Sequence, residues 1–543
     1  MLLNLYVSAK SSSLIVDART NLIDGSTLPY SQLIAGDTIF LLSGNWDNLL
    51  IRNFKGAAGK PIVFVNKNGV VRFDTSHNYA ISVQNCQFFK ITGTGSSDFY
   101  GIQVDRVENG TGIGIGGLSS DFEIDHISIK NVPIAGIYAK TDPDCSLISI
   151  RGKFIQMNTL IHDNYIENAG NEGLYIGSTN YFGQTVKCNG KDTLLLPSLL
   201  EGVKVYNNII KYSGWDGIQV SSAMKNCEVF GNLILFDSQA EIPNQMSGII
   251  LGGGSKCDCY NNNIANGKGD GIENHGLGGN TIFNNIIVNA GRTYYPEDFS
   301  SSRMKHGIFV SDVSTENDSS FYIRNNTIIN PKSDGIRFSS VNSRHNQIAS
   351  NAIINPGHFD YYENGNTRFK GVDSYAMIPD ASADVDIRNN YFARNLLNAG
   401  MTADYSLVKN SPLIDTGYSG WPNITFDFYN NPRPIGKAPD IGAYEYDPKT
   451  GSTIIPDSQS GIVVFPNPAK DELFVRLQSE SKSDLVFSVF SLSGMKILSK
   501  ENFGINGGEN TIKINLTGLN PGIYLYSVRN NKLVFTGKLV KTK

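Results

Sequence analysis

The chain has 543 residues, which is more than one compact hydrophobic core usually organises, so two or three folding units are expected. A net charge of −4 with 18% charged residues excludes the basic face that is typical of nucleic-acid-binding proteins. No apolar run is long enough to span a bilayer, so we expect no transmembrane segment.

The first nine residues, Met1 to Ala9, form a short apolar stretch that ends in Val-Ser-Ala. Such an ending is typical of a secretory signal, here without the basic residues that normally open one. We therefore interpret residues 1–9 as a signal-peptide remnant, with an ordinary first strand as the alternative.

The middle of the chain repeats itself. The pattern apolar-x-x-Asn-x-Ile recurs with its Asn at Asn164, Asn208, Asn232, Asn262, Asn285, Asn326 and Asn351. A second pattern, Gly followed by an apolar residue, recurs with its Gly at Gly173, Gly217, Gly248, Gly271, Gly307 and Gly335. The closest successive Asn are 23 residues apart (285 − 262), which fits one coil of a parallel β-helix with about three short strands.

Within each coil the apolar residues alternate, which is the period of a strand and not of a helix. Examples are the pairs Val203 and Val205, Ile218 and Val220, and Ile308 and Val310. An Asn at a tight turn can hydrogen-bond to the coils above and below while it tolerates left-handed backbone. We therefore predict a structural column of Asn side chains at one turn.

Segments near both ends of the repeat resemble the first and last coils of bacterial pectin-lyase-like β-helices. The opening segments are 35–40, Ala-Gly-Asp-Thr-Ile-Phe, and 56–62, Gly-Ala-Ala-Gly-Lys-Pro-Ile; the closing ones are 411–417 and 439–446. The resemblance implies an all-β protein in which residues 10–447 form a right-handed parallel β-helix.

The last eighty or so residues carry several spaced motifs, namely Val464-Phe465-Pro466-Asn467-Pro468-Ala469, Leu473-Phe474-Val475, Gly494, Leu519-Asn520-Pro521-Gly522-Ile523-Tyr524 and Lys538-Leu539-Val540. They closely resemble the C-terminal sorting domain of the type IX secretion system. The resemblance implies a small β-sandwich over 461–543, joined by a linker at 448–460, and export by the type IX machinery across the outer membrane of a Bacteroidetes-type cell. The protein is then secreted or held at the cell surface.

The six cysteines divide into two groups. Cys227, Cys257 and Cys259 align with inward strand positions, so we interpret them as core packing and not as a metal site, and Cys86 in the same way. The remaining two, Cys145 and Cys188, lie outside the regular strands and could bridge two loops.

Two columns of side chains are expected to run along one sheet of the stack. The outward column, two residues after each repeat Gly, holds Tyr138, Tyr175, Gln219, Ile250, Glu273, Phe309 and Arg337. Stacked about 4.8 Å apart, its aromatic and polar members suit a long repetitive ligand such as a glycan. We predict that Tyr138, Tyr175, Trp215, Gln219, His306, Phe309 and Arg337 contact the substrate; an ordinary exposed sheet face is the alternative.

The edge column is formed by the residue before each Gly: Glu172, Asp216, Ser247, Asp270, His306 and Asp334. An Asp-Gly pair is a common turn, but Glu has no such preference, which singles out Glu172. Glu172 and Asp216 stand on neighbouring coils, about 5 Å apart, where two carboxylates can divide into a proton donor and an ionised group. We predict them as the catalytic pair, assisted by Glu273 and His275.

Three insertions, at 178–200, 238–247 and 291–306, lie near these columns and are expected to wall a groove across them. The middle coils also resemble β-helical enzymes of marine polysaccharide breakdown, both alginate and chondroitin lyases and endo-acting fucanases.

We therefore favour a glycoside hydrolase that acts on a long polysaccharide, with sulfated and uronate-containing chains among its candidate substrates, and that needs no cofactor. A polysaccharide lyase is the first alternative, in which Glu172, Asp216 and Asp270 hold Ca²⁺ and a cation such as Lys225, Lys305 or Arg337 serves the proton transfer. A glycan-binding surface protein without catalysis is the second.

Overall fold

A computed structural model describes the chain over residues 13–298, 300–357, 376–377, 382–402, 405–420, 424–448, 452–453, 462–465, 469–479, 482–490, 496–529 and 534–541. The predicted signal remnant at 1–9 lies outside these residues. So do most of the predicted linker, the Pro466-Asn467-Pro468 motif and Gly494.

Short parallel strands stacked coil upon coil make up the long N-terminal part. Within the described residues the rear sheet has 23 strands: Ser13–Val16, Thr38–Trp46, Ile62–Thr75, Gln87–Thr92, Ile102–Val107, Ser120–Asp125, Ile127–Val132, Thr159–His162, Tyr165–Ala169, Lys204–Tyr206, Ile209–Lys211, Cys227–Phe230, Leu233–Leu235, Cys257–Tyr260, Asn263–Ala265, Thr281–Phe283, Ile286–Val288, Tyr322–Arg324, Thr327–Ile329, Asn346–Ala349, Ala352–Ile354, Val385–Arg388 and Tyr391–Ala393.

The front sheet has 12 strands in the part of the chain that the structure describes: Leu22–Asp24, Leu49–Arg52, Tyr79–Gln84, Thr111–Gly116, Ile137–Ala139, Leu174–Ile176, Ile218–Val220, Ser247–Leu251, Asp270–Asn274, Ile308–Val310, Ile336–Phe338 and Ala376–Met377. Smaller elements are a parallel sheet of Ile155–Met157, Leu199–Glu201 and Ala223–Lys225, the hairpin Gln184–Cys188 with Lys191–Leu195, the pair Tyr446–Asp447 with Ser452–Thr453, and two 3-10 turns at Tyr30–Gln32 and Ser301–Arg303.

Alternate strand residues fill the interior of the stack, as predicted. Val203, Val205, Ile218 and Val220 have no exposed surface, and they belong to one continuous hydrophobic cluster that runs from Val16 to Ile353. The parallel β-helix and its inward strand positions are therefore confirmed.

The predicted column of seven Asn side chains is present, and it continues to Asn390. Asn262 is representative: its Nδ2 donates to the backbone oxygen of Val229 at 2.9 Å and to Oδ1 of Asn285 at 3.0 Å. One detail of the prediction is wrong, because the left-handed residue is the one before each column Asn, such as Asn261 at φ 54° or Asn284 at φ 53°. The residue before each column Asn therefore adopts the left-handed conformation of the turn, and the side chain of the column Asn forms the hydrogen bonds between coils.

Replacing Asn262 with Ala is expected to lower the free energy of unfolding by about 3 kcal/mol, because the change leaves buried donors and acceptors of the adjacent coils without partners. Thermal unfolding followed by circular dichroism measures the loss. Asn263→Ala, in the adjoining strand and outside the column, is the control and should change the midpoint little. Equal midpoints for the two variants would contradict a stabilising role for the column.

The cysteines are only partly as predicted. Cys145 and Cys188 form a disulfide, and Cys86 and Cys259 are free and buried. The interpretation of Cys227 and Cys257 as unpaired core residues is wrong, since they form a second disulfide. They occupy the same strand position on adjacent coils, with 4.5 Å between their Cα atoms, so their inward side chains face each other.

The C-terminal part contains antiparallel sheets, one of Ile462–Phe465, Glu472–Ser479 and Gly508–Asn515, the other of Lys496–Ile505, Ser483–Phe490, Gly522–Arg529 and Val534–Lys541. Its buried side chains, among them Leu473, Val475 and Phe487, form a hydrophobic cluster that includes no residue of the β-helix cluster.

Because the two clusters share no residue, a chain that ends at residue 460 should keep the β-helix folded. We expect the shortened chain to retain the β-sheet circular dichroism spectrum and to unfold cooperatively at nearly the same temperature as the full chain. Loss of cooperative unfolding would contradict the placing of the domain boundary between 447 and 461.

Candidate active site

The outward column of the front sheet is arranged as predicted. Its members pair one to one through successive parallel strands, from Tyr138 to Tyr175 and on through Gln219, Ile250, Glu273 and Phe309 to Arg337. The middle of the column is covered, however, because Gln219, Ile250 and Glu273 are only 1%, 7% and 9% exposed. The column is therefore not an open sheet face, and its partly exposed members are the aromatic and cationic ones towards its two ends.

The edge column also holds its register. The backbone N–H of Gly173 donates to the oxygen of Asp216 at 3.1 Å, and that of Gly217 donates to the oxygen of Ser247 at 3.0 Å. Ser247 pairs in turn with Asp270, which lies on the following coil. Glu172 and Asp216 thus occupy equivalent positions on neighbouring coils, as the repeat predicted.

The insertions lie at both ends of these strands. Tyr181, from the first insertion, packs against Gly254 beyond the ends of the strands. On the other side the second and third insertions meet, where the ammonium group of Lys305 donates to the backbone oxygen of Met246 at 3.3 Å. The insertions therefore flank the middle of the front sheet from opposite sides.

A cluster of carboxyl groups lies between these walls. Asp216 is wholly buried, and its Oδ1 accepts the N–H of Ser247 at 2.8 Å and the hydroxyl of Ser247 at 2.7 Å. Burial, then the charge of Glu273, then that of Glu172, raise the pKa of Asp216 well above its usual range. Burial also raises the pKa of Glu172 to about 7, although Lys140 partly opposes the shift.

The pKa of Glu273 is shifted in the opposite direction. Its Oε2 lies 3.3 Å from the hydroxyl of Ser247 and 3.8 Å from Nε2 of His275. Burial favours the neutral form, but His275, Lys305 and Ser247 together outweigh it and lower the pKa of Glu273. His275 is held in turn by the hydroxyl of Ser311, 2.6 Å from its Nδ1. The site therefore places a carboxyl group whose pKa is lowered beside two whose pKa values are raised.

The cations near the site all have carboxylate partners. Lys305 donates to Oδ2 of Asp270 at 2.9 Å, while Oδ1 of Asp270 accepts the N–H of His306 at 2.5 Å. Asp334 lies 3.0 Å from His306 and 3.9 Å from Arg337. Each oxygen of Asp270 thus has one hydrogen-bond donor, and the Lys305 ammonium balances its charge.

Lys225 is the one candidate cation that lies elsewhere. It belongs to the strand Ala223–Lys225 of the three-stranded sheet, where its ammonium group is 3.8 Å from Glu201. The structure therefore does not bring Lys225 to the front sheet.

Aromatic side chains stand on either side of the cluster. Tyr138 and Tyr175 meet edge to face at 5.1 Å, and the ammonium of Lys140 lies 5.2 Å and 4.9 Å from their ring centres. On the other side Phe309 lies 6.1 Å from the ring of His275. The Trp215 side chain is partly exposed immediately before Asp216.

Sequence reasoning missed two of these residues. Ser247 stood in the edge column but was not given a role, although it contacts both Asp216 and Glu273. Lys140 follows Tyr138 by two residues, so strand alternation places both on the same face, and this could have identified it.

A group with the geometry of metal ligands lies on the rear sheet instead. Glu123, Asp125 and His162 bring ligand atoms within 4.8 Å of one another. The ammonium of Lys90 stands between the two carboxylates, at 2.6 Å and 2.7 Å, and already balances their charge.

Comparison with known protein families gives two matches. Residues 198–392 match the model of the right-handed β-helix region, and residues 463–542 match that of the secretion system C-terminal sorting domain. The chain is a right-handed β-helix protein with a type IX sorting tail. The tail marks this β-helix protein for export to the cell surface or beyond. No helix within the described residues is long and apolar enough to cross a membrane.

A comparison with curated proteins gives no match. Among solved structures, a pectate lyase is similar with a TM-score of 0.36 and 14% identity, over 81% of this chain and 98% of the other. A GH136 lacto-N-biosidase from Eubacterium ramulus has a TM-score of 0.40 and 10% identity, over 70% and 67%. The A-module of a mannuronan C-5 epimerase from Azotobacter vinelandii has a TM-score of 0.35 and 11% identity, over 66% and 87%.

Proposed function

We propose that the exported β-helix cleaves a long polysaccharide, and that the reaction is hydrolysis. The observation that carries the proposal is the carboxyl cluster of the front sheet. Burial raises the pKa values of Asp216 and Glu172, whereas His275 and Lys305 help to lower that of Glu273. Carboxyl groups whose environments drive their pKa values apart can serve as proton donor and as ionised nucleophile or base.

The length of the outward column, with its partly exposed ends, suits an extended chain. From Tyr138 to Arg337 the outward column crosses seven strands, which gives a length of about 29 Å at the usual strand spacing. Its partly exposed members are Tyr138 and Tyr175 at one end and Phe309 and Arg337 at the other, which are side chains that can contact sugar faces and hydroxyl groups. The insertions on either side restrict the chain to the line of the carboxyl cluster.

Within this groove we assign the ionised role to Glu273 and the proton to the pair of Glu172 and Asp216. The hydroxyl of Ser247 lies 2.7 Å from Asp216 and 3.3 Å from Glu273. Oδ1 of Asp216 and Oε2 of Glu273 are therefore no more than about 6 Å apart, which is near the carboxyl spacing used by retaining glycosidases. His275 and Lys305 keep Glu273 charged, and Tyr138, Tyr175, Phe309 and Arg337 bind the flanking sugars.

Incubation with a panel of algal and plant polysaccharides tests the proposal. We expect new reducing ends from at least one polysaccharide, without the ultraviolet absorbance of an unsaturated sugar. Glu273→Gln is the matched control and should release none. Binding without products from every polysaccharide would overturn hydrolysis and favour a glycan-binding surface protein.

A lyase is the second candidate, since the His275 ring and the Lys305 ammonium stand beside Glu273 and could serve a proton abstraction. An unsaturated product would favour this reaction. If Glu172 and Asp216 bound Ca²⁺ for it, a chelator would abolish activity and added calcium would restore it. We expect neither, because burial favours the protonated forms of both residues.

A further inference from the structure

Ser247 joins two carboxyl groups that come from different coils. It opens the strand Ser247–Leu251 and is wholly buried. Its Oγ lies 2.7 Å from Oδ1 of Asp216, on the preceding coil, and 3.3 Å from Oε2 of Glu273, on the following one. The backbone N–H of Ser247 also donates to Oδ1 of Asp216, at 2.8 Å, which fixes the serine against the aspartate.

The Ser247 hydroxyl lies within hydrogen-bonding distance of an acceptor oxygen on either side, and it has one hydrogen to donate. Oδ1 of Asp216 accepts both the backbone N–H and the hydroxyl of Ser247. Oε2 of Glu273 is the other acceptor, and a hydrogen bond to a charged acceptor is the stronger kind. The single hydroxyl hydrogen of Ser247 is therefore shared between Asp216 and Glu273.

We propose that Ser247 is a positioning residue of the active site, whose hydroxyl bridges Asp216 and Glu273 in a hydrogen-bond chain and holds Glu273 oriented and ionised. Its importance for the reaction rests on the proposed function. The chain itself involves only residues of the protein and can be tested without a substrate. Asp216 in turn holds Ser247 in place through the backbone N–H and the hydroxyl of the serine.

Few other charged groups face Glu273. His275 is on the same strand, with its Nε2 at 3.8 Å, and Lys305 approaches from the third insertion while Asp270 holds its ammonium. The flanking positions of the outward column are the uncharged Ile250 and Phe309. With Asp216 on the far side of the serine, Ser247 is the nearer of the two hydrogen-bond partners that lower the pKa of Glu273.

The full-length protein, labelled with carbon-13 at its glutamate carboxyl groups, tests the chain by NMR titration. The spectrum of Glu273→Gln identifies the Glu273 signal. We expect Ser247→Ala to raise the pKa of Glu273 by about one unit, because the anion loses a donor. Ser221→Ala is the control: Ser221 is equally buried, and its hydroxyl has no hydrogen-bond partner among the described residues. It should leave the pKa unchanged.

A second measurement uses the pH profile of kcat/KM on the polysaccharide that the panel identifies. Glu273 must be ionised, so activity falls as the pH drops through its pKa, and a raised pKa moves this acid limb to higher pH. Ser247→Ala should shift the limb by about one unit, and Ser221→Ala should not.

The outcomes separate the two proposals. A Glu273 signal that titrates alike in Ser247→Ala and Ser221→Ala would overturn the inference, whether or not the protein is a hydrolase. A shifted signal in a protein that cleaves no polysaccharide would refute the proposed function and still support the hydrogen-bond chain. A shift in both the signal and the acid limb supports both.

Discussion

Replacing Glu273 with Gln is expected to lower kcat/KM by about 10⁴-fold, equivalent to about 5.5 kcal/mol of transition-state stabilisation. The amide has nearly the same shape and can still accept the hydroxyl of Ser247, which lies 3.3 Å away. It cannot carry the negative charge that the proposed reaction requires. Initial rates of reducing-end release, measured on the polysaccharide identified by the panel, give the effect.

Glycan binding and the unfolding temperature of this variant should stay close to those of the parent, since the missing charge is needed to stabilise the transition state and not to bind the substrate. Glu167→Gln is the control, because Glu167 lies on the rear sheet, where Lys130 and Tyr165 contact it at 3.5 Å and 3.0 Å. It should retain full activity. An active Glu273→Gln protein would exclude Glu273 as the ionised group.

The second large effect concerns the carboxyl group that donates a proton to the leaving oxygen. Of Glu172→Gln and Asp216→Asn, the variant that removes the donor should lose about 10³-fold in kcat at neutral pH, because the leaving oxygen is no longer protonated. The other should lose about tenfold or less. Both variants preserve the shape and the neutral charge that burial favours, so the comparison isolates the transferable proton.

The product anomer provides an independent check. Asp216 lies close enough to Glu273 for retention, whereas Glu172 starts one coil further away and leaves space for a water, which suits inversion. Proton NMR of the first products distinguishes the two. If neither variant loses more than a few-fold in rate and each changes stability by about 1 kcal/mol, both residues are structural turn residues.

The sequence predicted the repeat well, because the stack imposes its period on the chain. Each coil must supply inward apolar residues at alternate positions and an Asn at one turn, so spacing alone placed Asn262 in its column and Glu273 beside Phe309. The same periodicity placed Glu172 and Asp216 on neighbouring coils.

What the sequence could not predict depends on side chains that approach from outside the repeat. The outward alternation of Gln219 and Glu273 suggested an exposed face, but the structure buries both, and a sequence period does not show whether an outward position is covered. The disulfide of Cys227 was missed for a related reason. Equivalent strand positions were correctly aligned, but an alignment does not show whether two sulfur atoms face each other.

The Asn column keeps adjacent coils aligned with each other whatever the number of residues in each coil. Asn164 and Asn208 are 44 residues apart and Asn262 and Asn285 only 23, yet their side chains pair at 3.1 Å and 3.0 Å. The extra chain leaves the stack and returns without disturbing the next turn. A wall of the groove could therefore be shortened, lengthened or exchanged for that of a relative while the floor keeps its geometry, so substrate range can diversify, in nature or by loop grafting, on an unaltered scaffold.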